Sequence, residues 1–293
     1  PRRATRAALC LRPALRSSVR AVDTRAYFQG KHTVITGGSS GIGLSFAKLV
    51  AGYGGKATLV ARRKSVLEEA KASILAAQPR AEVGILELDV ANANDVAERM
   101  ERLLAEGPIE HLVNNAGIVM PGRFLELPLE EFRKMMDVNF FGTVQMCKAV
   151  LPSMVRSRRG HVLNVSSLAG VIGIYGYTPY AASKFALRGF SEALRAEMWP
   201  SGVRVSLCLP PDTDTPQLAF ENEHKPAETK AIAGTVKTLS PEAVALSMAE
   251  GMARGSFEIY PDVTSRVSAL AQGVAPGVVR WFCDQAQRKV SPV

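Results

Sequence analysis

Two periods of apolar residues alternate along the chain. Short apolar, β-branched runs read as strands: HTVIT (32–36), ATLVAR (57–62), VGILELD (83–89), IEHLVNN (109–115), HVLNVSS (161–167) and VRVSLCLP (203–210). Between them lie longer stretches with helical spacing, at 42–53, 64–78, 93–106, about 128–156 and 179–199. In the second of these the polar face is Glu68, Glu69 and Lys71. Phe257-Glu258-Ile259-Tyr260 reads as a seventh strand. Strands that alternate with helices build βαβ units and a parallel sheet with helices on both faces. The apolar character of the strands fits burial on both sides. The expected fold class is therefore α/β, a doubly wound parallel sheet. No repeat and no Gly/Ser-rich linker divides the chain, so one domain is expected.

Composition adds limits. The chain has 293 residues, 47% hydrophobic and 22% charged, which suits a globular domain with a sizeable core. No run approaches the roughly 18 consecutive apolar residues of a transmembrane helix. Cys10, Cys147, Cys208 and Cys283 are far apart and read as reduced thiols of an intracellular protein. The net charge of +9 suggests nucleic acid until it is divided along the chain. Residues 1–30 hold seven arginines against Asp23 alone, so the rest carries only +3. No nucleic-acid partner is expected for the body. Residues 1–29 read as a basic, disordered leader. Its Arg-, Ala- and Ser-rich composition also fits an organelle transit peptide. The catalytic body is expected over 30–262, with a separate C-terminal segment over 263–293.

Gly37-Gly38-Ser39-Ser40-Gly41-Ile42-Gly43 follows the first strand and opens the first helix. Gly37, Gly41 and Gly43 form a variant of the dinucleotide-binding fingerprint. Its glycines let backbone approach a pyrophosphate, and the helix N-terminus offers free N–H groups to the phosphates. The same run spells the G-x-S-x-G of a hydrolase elbow. That chemistry needs a downstream His, and His224 in a polar run is the sole histidine late enough. The four histidines have no zinc-ligand spacing. At the end of the second strand an acid would favour NAD. Arg62, Arg63 and Lys64 stand there instead and suit the 2′-phosphate of NADPH/NADP+.

Tyr180 and Lys184 lie one helical turn apart on one face. A cation there favours the phenolate and should lower the tyrosine pKa, making it an acid–base group. Ser167 ends the fifth strand and can bind a substrate oxygen set against Tyr180. All three would sit at the carboxyl ends of the strands, where open α/β sheets bind ligands.

Together, TGGSSGIG (36–43), Asp89-Val90, Asn114-Asn115-Ala116-Gly117, Asn139 in NFFG, Ser166-Ser167 and YAASK (180–184) resemble the short-chain dehydrogenase/reductase family. The resemblance spans residues 31–210. It implies a Rossmann sheet in order 3-2-1-4-5-6-7. It implies cofactor contacts at Gly37, Ser39, Ser40, Gly41, Ile42, Gly43, Arg62, Arg63, Asp89, Val90, Asn115, Ala116, Gly117, Tyr180, Lys184, Pro210 and Thr213. Tyr180 would be the acid–base, Ser167 the substrate-oxygen ligand and Lys184 a ligand of the nicotinamide ribose. Asn139 would hold a water in a proton relay with Lys184.

Further along, Pro210-Pro211-Asp212-Thr213-Asp214-Thr215-Pro216 and Glu221-Asn222-x-x-Lys225-Pro226 resemble one branch, the 3-ketodihydrosphingosine reductases. That likeness implies NADPH-dependent reduction of a long-chain 3-keto sphingoid base, a lipid substrate. One of Asp212 and Asp214 would then face the substrate amine, unless both cap the helix starting near Thr215-Pro216. Two departures stand out: Val66 replaces a basic residue common in the branch, and hydrophobic segments of eukaryotic relatives are missing. Another carbonyl reductase or hydroxysteroid dehydrogenase of the family is the competing enzyme reading. A non-catalytic cofactor or lipid binder is the competing class. The segment 265–285, broken by Gly273, Pro276 and Gly277, reads as a packed helix, a lipid entrance or a bilayer-surface element anchored by Trp281 and Phe282. By family analogy the protein is expected to be a dimer or tetramer. The expected location is the cytoplasm or the cytosolic face of a membrane, the endoplasmic reticulum in a eukaryote.

Overall fold

The computed structural model describes residues 22–234 and 237–290. Its elements are α1 (Thr24–Phe28), β1 (His32–Thr36), α2 (Gly41–Gly52), β2 (Lys56–Ala61), α3 (Lys64–Ala77), β3 (Val83–Glu87), α4 (Ala93–Glu106) and β4 (His111–Asn114). Then come α5 (Leu129–Met135), α6 (Gly142–Ser157), β5 (Gly160–Val165), α7 (Thr178–Met198) and β6 (Val203–Cys208). The chain ends with α8 (Pro216–His224), α9 (Ala227–Ala233), α10 (Pro241–Arg254), β7 (Glu258–Ile259), α11 (Val263–Val274) and α12 (Pro276–Arg288). The strands form one parallel sheet in the order β3-β2-β1-β4-β5-β6-β7, the Rossmann arrangement expected.

Period-2 alternation divides the core between the sheet's two faces. In β1, Ile35 joins a cluster with Phe46 and Val50 of α2, Ile74 of α3 and Met248 of α10. Its neighbour Val34 joins the opposite cluster, with Met100 of α4, Val150 of α6 and Leu194 of α7. Helix starts follow their capping residues: Asn92 accepts from Asp95 N, Thr215 from Leu218 N ahead of Pro216, and Ser240 from Ala243 N ahead of Pro241.

Three expectations change. The long helix expected from 128 to 156 contains a six-residue π-helical segment, Met136–Phe141, between α5 and α6. A single wide turn of this kind is too short for a period read over the whole span to resolve. β5 stops at Val165, and Ser167 caps a short 3-10 turn, Leu168–Gly170. The leader assigned to 1–29 is structured at its end: Asp23 caps α1, and Phe28 is fully buried edge-on to Phe46. Charge composition obscured this, because one buried aromatic decides the packing. The remaining leader residues, 1–21, lie outside the described residues. The C-terminal segment forms two helices that meet at Ala275, and α11 and α12 expose Val263, Val267, Leu270, Val274, Trp281 and Phe282. Cys147, Cys208 and Cys283 are free thiols.

Candidate active site

A cavity of about 240 Å³ opens at the carboxyl ends of the central strands. One wall is the β1–α2 turn. Gly37 has φ of +64°, and a Cβ there would meet Asn115 Nδ2 at 2.9 Å and Ala116 Cα at 3.0 Å. At Gly43 a Cβ would lie 2.3 Å from Gly37 O. Only glycine lets these backbones close. Ser40 starts α2 with no side-chain cap, leaving the first-turn N–H groups available to an anion. Asn115 donates from Nδ2 to Thr36 O at 3.1 Å and Gly37 O at 3.3 Å. The Asn115 and Ala116 N–H groups both donate to Thr36 Oγ1 at 3.0 Å. The β4 exit is thereby fastened to the cradle. Tight glycines, an uncapped helix start and exposed Arg62 and Arg63 just past β2 fit a phosphorylated dinucleotide.

The opposite wall carries the residues expected to transfer the proton. Tyr180 and Lys184, on the first turns of α7, are 9% and 4% exposed. Lys184 Nζ lies 5.7 Å from the centre of the Tyr180 ring and donates to Val165 O at 3.0 Å. Burial lowers Lys184 to about 8, partly offset by the negative charge of Glu221. Tyr180 departs from expectation: its pKa is raised, not lowered. Burial is the main cause and Glu221 adds to it, while hydrogen bonding with Ser167 pulls the other way. Spacing revealed the neighbouring cation but not how dry the site is, and burial dominates the shift. In this state Tyr180 holds its proton and can donate it. Ser167 Oγ accepts from Ala169 N at 3.1 Å, which fixes its rotamer in the cavity wall.

Most expected residues converge. The cavity is lined by Gly37, Ser40, Gly41 and Ile42 on the cradle and by Asn115, Ala116 and Gly117 past β4. Ser167, Tyr180, Lys184, Pro210, Asp212 and Thr213 complete it from β5, α7 and the β6 exit. Ser39, Gly43, Arg62, Arg63, Asp89, Val90, Asn139 and Asp214 are not in its lining. Asp89 accepts from Ala91 N, and Val90 is buried beneath Gly142. Asn139, in the π-helical segment, accepts from Ile118 N at 2.8 Å and donates to Ile118 O at 3.0 Å and Ser183 Oγ at 2.9 Å. Its side chain is therefore occupied in holding the segment after Gly117. Neither Asp212 nor Asp214 caps α8, since Thr215 does so. Asp214 is exposed, and Asp212 is ion-paired with Lys225 at 3.0 Å.

Tyr177, Glu221 and Lys225 were given no site role by the sequence reading. Tyr177 packs against Tyr180 with ring centres 5.5 Å apart and donates its hydroxyl to Glu221 Oε2 at 2.5 Å. Glu221 and Lys225 lie within the branch-like E-N-x-x-K-P run. That run carries the signal, but a charged stretch on a helix reads as solvated until α8 is seen folded over the site.

A buried tyrosine acid, a hydroxyl beside it and a dinucleotide cradle across one cavity define a nicotinamide-dependent oxidoreductase. The chain belongs to the short-chain dehydrogenase family, whose sequence model matches residues 31–226. It is 42% identical to a 3-dehydrosphinganine reductase of Danio rerio over 84% of this chain and 76% of that one. Among solved structures it is similar to a Burkholderia phymatum short-chain dehydrogenase/reductase in complex with NAD, with a TM-score of 0.76 and 25% identity over 86% of this chain and 95% of that one. A Sphingobium yanoikuyae short-chain dehydrogenase in complex with NADPH has a TM-score of 0.72 and 27% identity, covering 85% and 95% respectively.

Proposed function

We propose that this protein reduces 3-ketodihydrosphingosine to dihydrosphingosine with NADPH, a step of sphingolipid synthesis. The observation that carries this reading is the 42% identity to the Danio rerio 3-dehydrosphinganine reductase over most of both chains. NADPH supplies the hydride for the carbonyl carbon. Tyr180 gives its proton to the carbonyl oxygen as charge develops there, and Ser167 donates a hydrogen bond to the same oxygen. Lys184 holds the nicotinamide ribose. Asn139 is a positioning residue that ties the segment after Gly117 to Ser183, one residue before Lys184. Arg62 and Arg63 receive the 2′-phosphate. Leu168, Ile174, Leu218 and Ile232 give the cavity an apolar side for the alkyl tail.

Among the described residues no helix is long and apolar enough to cross a membrane. The exposed apolar residues of α11 and α12, with Arg266, Arg280 and Arg288 among them, support peripheral contact with an anionic bilayer surface, in a eukaryote that of the endoplasmic reticulum. Exposed Phe141, Val155 and Phe185 supply apolar surface for a homo-oligomer.

The test is NADPH consumption with a panel of ketones, the products identified by mass. Faster turnover of a rigid steroid ketone than of the sphingoid ketone would overturn the assignment and favour the hydroxysteroid reading.

A further inference from the structure

The substrate side of the cavity holds a charge cluster that the proton-transfer chemistry does not use. Asp212 follows β6, Glu221 lies on α8, and Lys225 caps the end of α8. Lys225 Nζ donates to Asp212 Oδ2 at 3.0 Å, with its side chain only 1% exposed. Glu221 Oε2 is 3.7 Å from the same ammonium, a looser ion pair beyond hydrogen-bond reach. The single lysine is thus shared between two carboxylates, and the three groups together leave one net negative charge. The other partners of Glu221 are neutral: the Tyr177 hydroxyl at 2.5 Å and a long bond from Gln217 Nε2 at 3.3 Å to the second oxygen.

A buried carboxylate that must share its counter-ion with a second carboxylate is costly. Burial accordingly pushes the Glu221 carboxyl above its usual range. A cation in the cavity would relieve that cost. Glu221 borders the same cavity as Ser167 and Tyr180, and its charge acts on Tyr180 and Lys184. Lys184 is not its partner, being held by Val165 O at 3.0 Å. The vacancy in the charge pattern therefore lies beside the acid that protonates the carbonyl. In 3-ketodihydrosphingosine the ammonium sits on the carbon next to that carbonyl.

We propose that Glu221 binds the substrate ammonium, with the Asp212–Lys225 ion pair holding α8 over the site and Tyr177 orienting the carboxylate. This assignment rests on the sphingoid reading of the reaction. It also gives the site a means of discrimination. A ketone without nitrogen leaves Glu221 buried with only a share of Lys225, and sites built around a buried polar group reject analogues that lack its partner.

The experiment compares kcat/KM for the amino ketone and for a ketone of equal chain length with the amine replaced by hydrogen. It uses the full chain and its Glu221→Gln and Glu221→Asp variants, each first checked for parental melting and NADPH binding. Glu221→Gln keeps an acceptor for Tyr177 and removes the charge. Its loss on the amino ketone is expected to exceed its loss on the deaminated ketone by about 10- to 100-fold, chiefly in KM, with partial recovery in Glu221→Asp. Equal losses on both ketones would make Glu221 structural and overturn the proposal. A measurement on the parent protein stands apart from variant folding: dodecylammonium should inhibit at least about tenfold more strongly than dodecanol. Equal inhibition would also overturn it. If the parent protein leaves the amino ketone unreduced while consuming another ketone, the sphingoid reading itself falls, an outcome distinct from the two above.

Discussion

Lys184 is within 5.7 Å of the centre of the Tyr180 ring, yet its ammonium is fastened to Val165 O and not to the phenol. The pair is thus arranged as proton donor and neighbouring cation, with Tyr180 kept protonated by burial. A lysine held near 8 carries its proton below that pH and loses it above. If its ammonium is what grips the ribose, NADPH affinity should weaken as pH rises through about 8. Fluorescence titration of NADPH across that range reads the effect. Lys184→Met should bind more weakly and show no such inflection. A parent affinity unchanged across the range would exclude an ionised Lys184 from binding.

Tyr180→Phe preserves ring packing against Tyr177 and removes the proton. General acid catalysis contributes about 10²–10⁴-fold, and kcat should fall by that order with NADPH binding nearly intact. Retention of more than about a tenth of parental kcat would assign the acid to another group.

Arg62→Asp places an acid where an NAD enzyme carries one. Loss of one charge-assisted phosphate contact costs about 1.5–3 kcal/mol. The ratio of kcat/KM for NADPH over NADH should drop by about 10- to 100-fold in the variant. Equal kcat/KM for the two cofactors in the parent protein would refute the preference altogether.

The parts of the fold set by local pattern were legible. The α4 boundaries, 93–106, coincide with expectation because Asn92 and Gly107 flank a strongly amphipathic run. The cradle and the Tyr180–Lys184 spacing are motifs within single turns, so residue identity suffices to find them. What was hidden depended on depth. The direction of the Tyr180 shift follows from its burial, to which the charge of Glu221 on α8 adds, and Glu221 becomes a buried anion only once that helix is in place. The π-helical segment at Asn139 and the anchoring of α1 by Phe28 likewise arise from tertiary packing, which leaves no periodic trace.

Away from the site, three histidines make acid the protein's weak direction. His32 and His111 start β1 and β4 and His161 is the second residue of β5, all at the opposite end of the sheet, and His111 is in register with His161. Their ring nitrogens are partnered by neutral hydroxyls: Thr58 at 2.8 Å from His32, Thr33 at 3.1 Å from His111, and Tyr27 at 2.7 Å and Ser206 at 2.8 Å from His161. Tyr27 of α1 also stacks on His111 at 4.9 Å. Burial is the main cause of their low basicity, reinforced by Lys56 near His32 and by Lys31 and Arg204 near the other two. It holds His32 at about 4, His111 at about 3 and His161 well below its ordinary value. The unfolded chain therefore takes up these protons first. Their contribution is complete above the ordinary value of 6.5 and is lost as pH falls towards the folded values. Each unit of difference corresponds to about 1.4 kcal/mol. Ordinary carboxylates titrate lower, and Glu221, raised in the fold, gains stability as pH falls, so a loss between about pH 6.5 and about pH 5 reports the histidines. Tm should fall across that window, and His161→Gln, which keeps polar atoms for Tyr27 and Ser206 without titrating, should make the slope shallower even if it lowers Tm overall. A flat parental Tm there, or an unchanged slope in the variant, would show that the histidines do not set the acid limit.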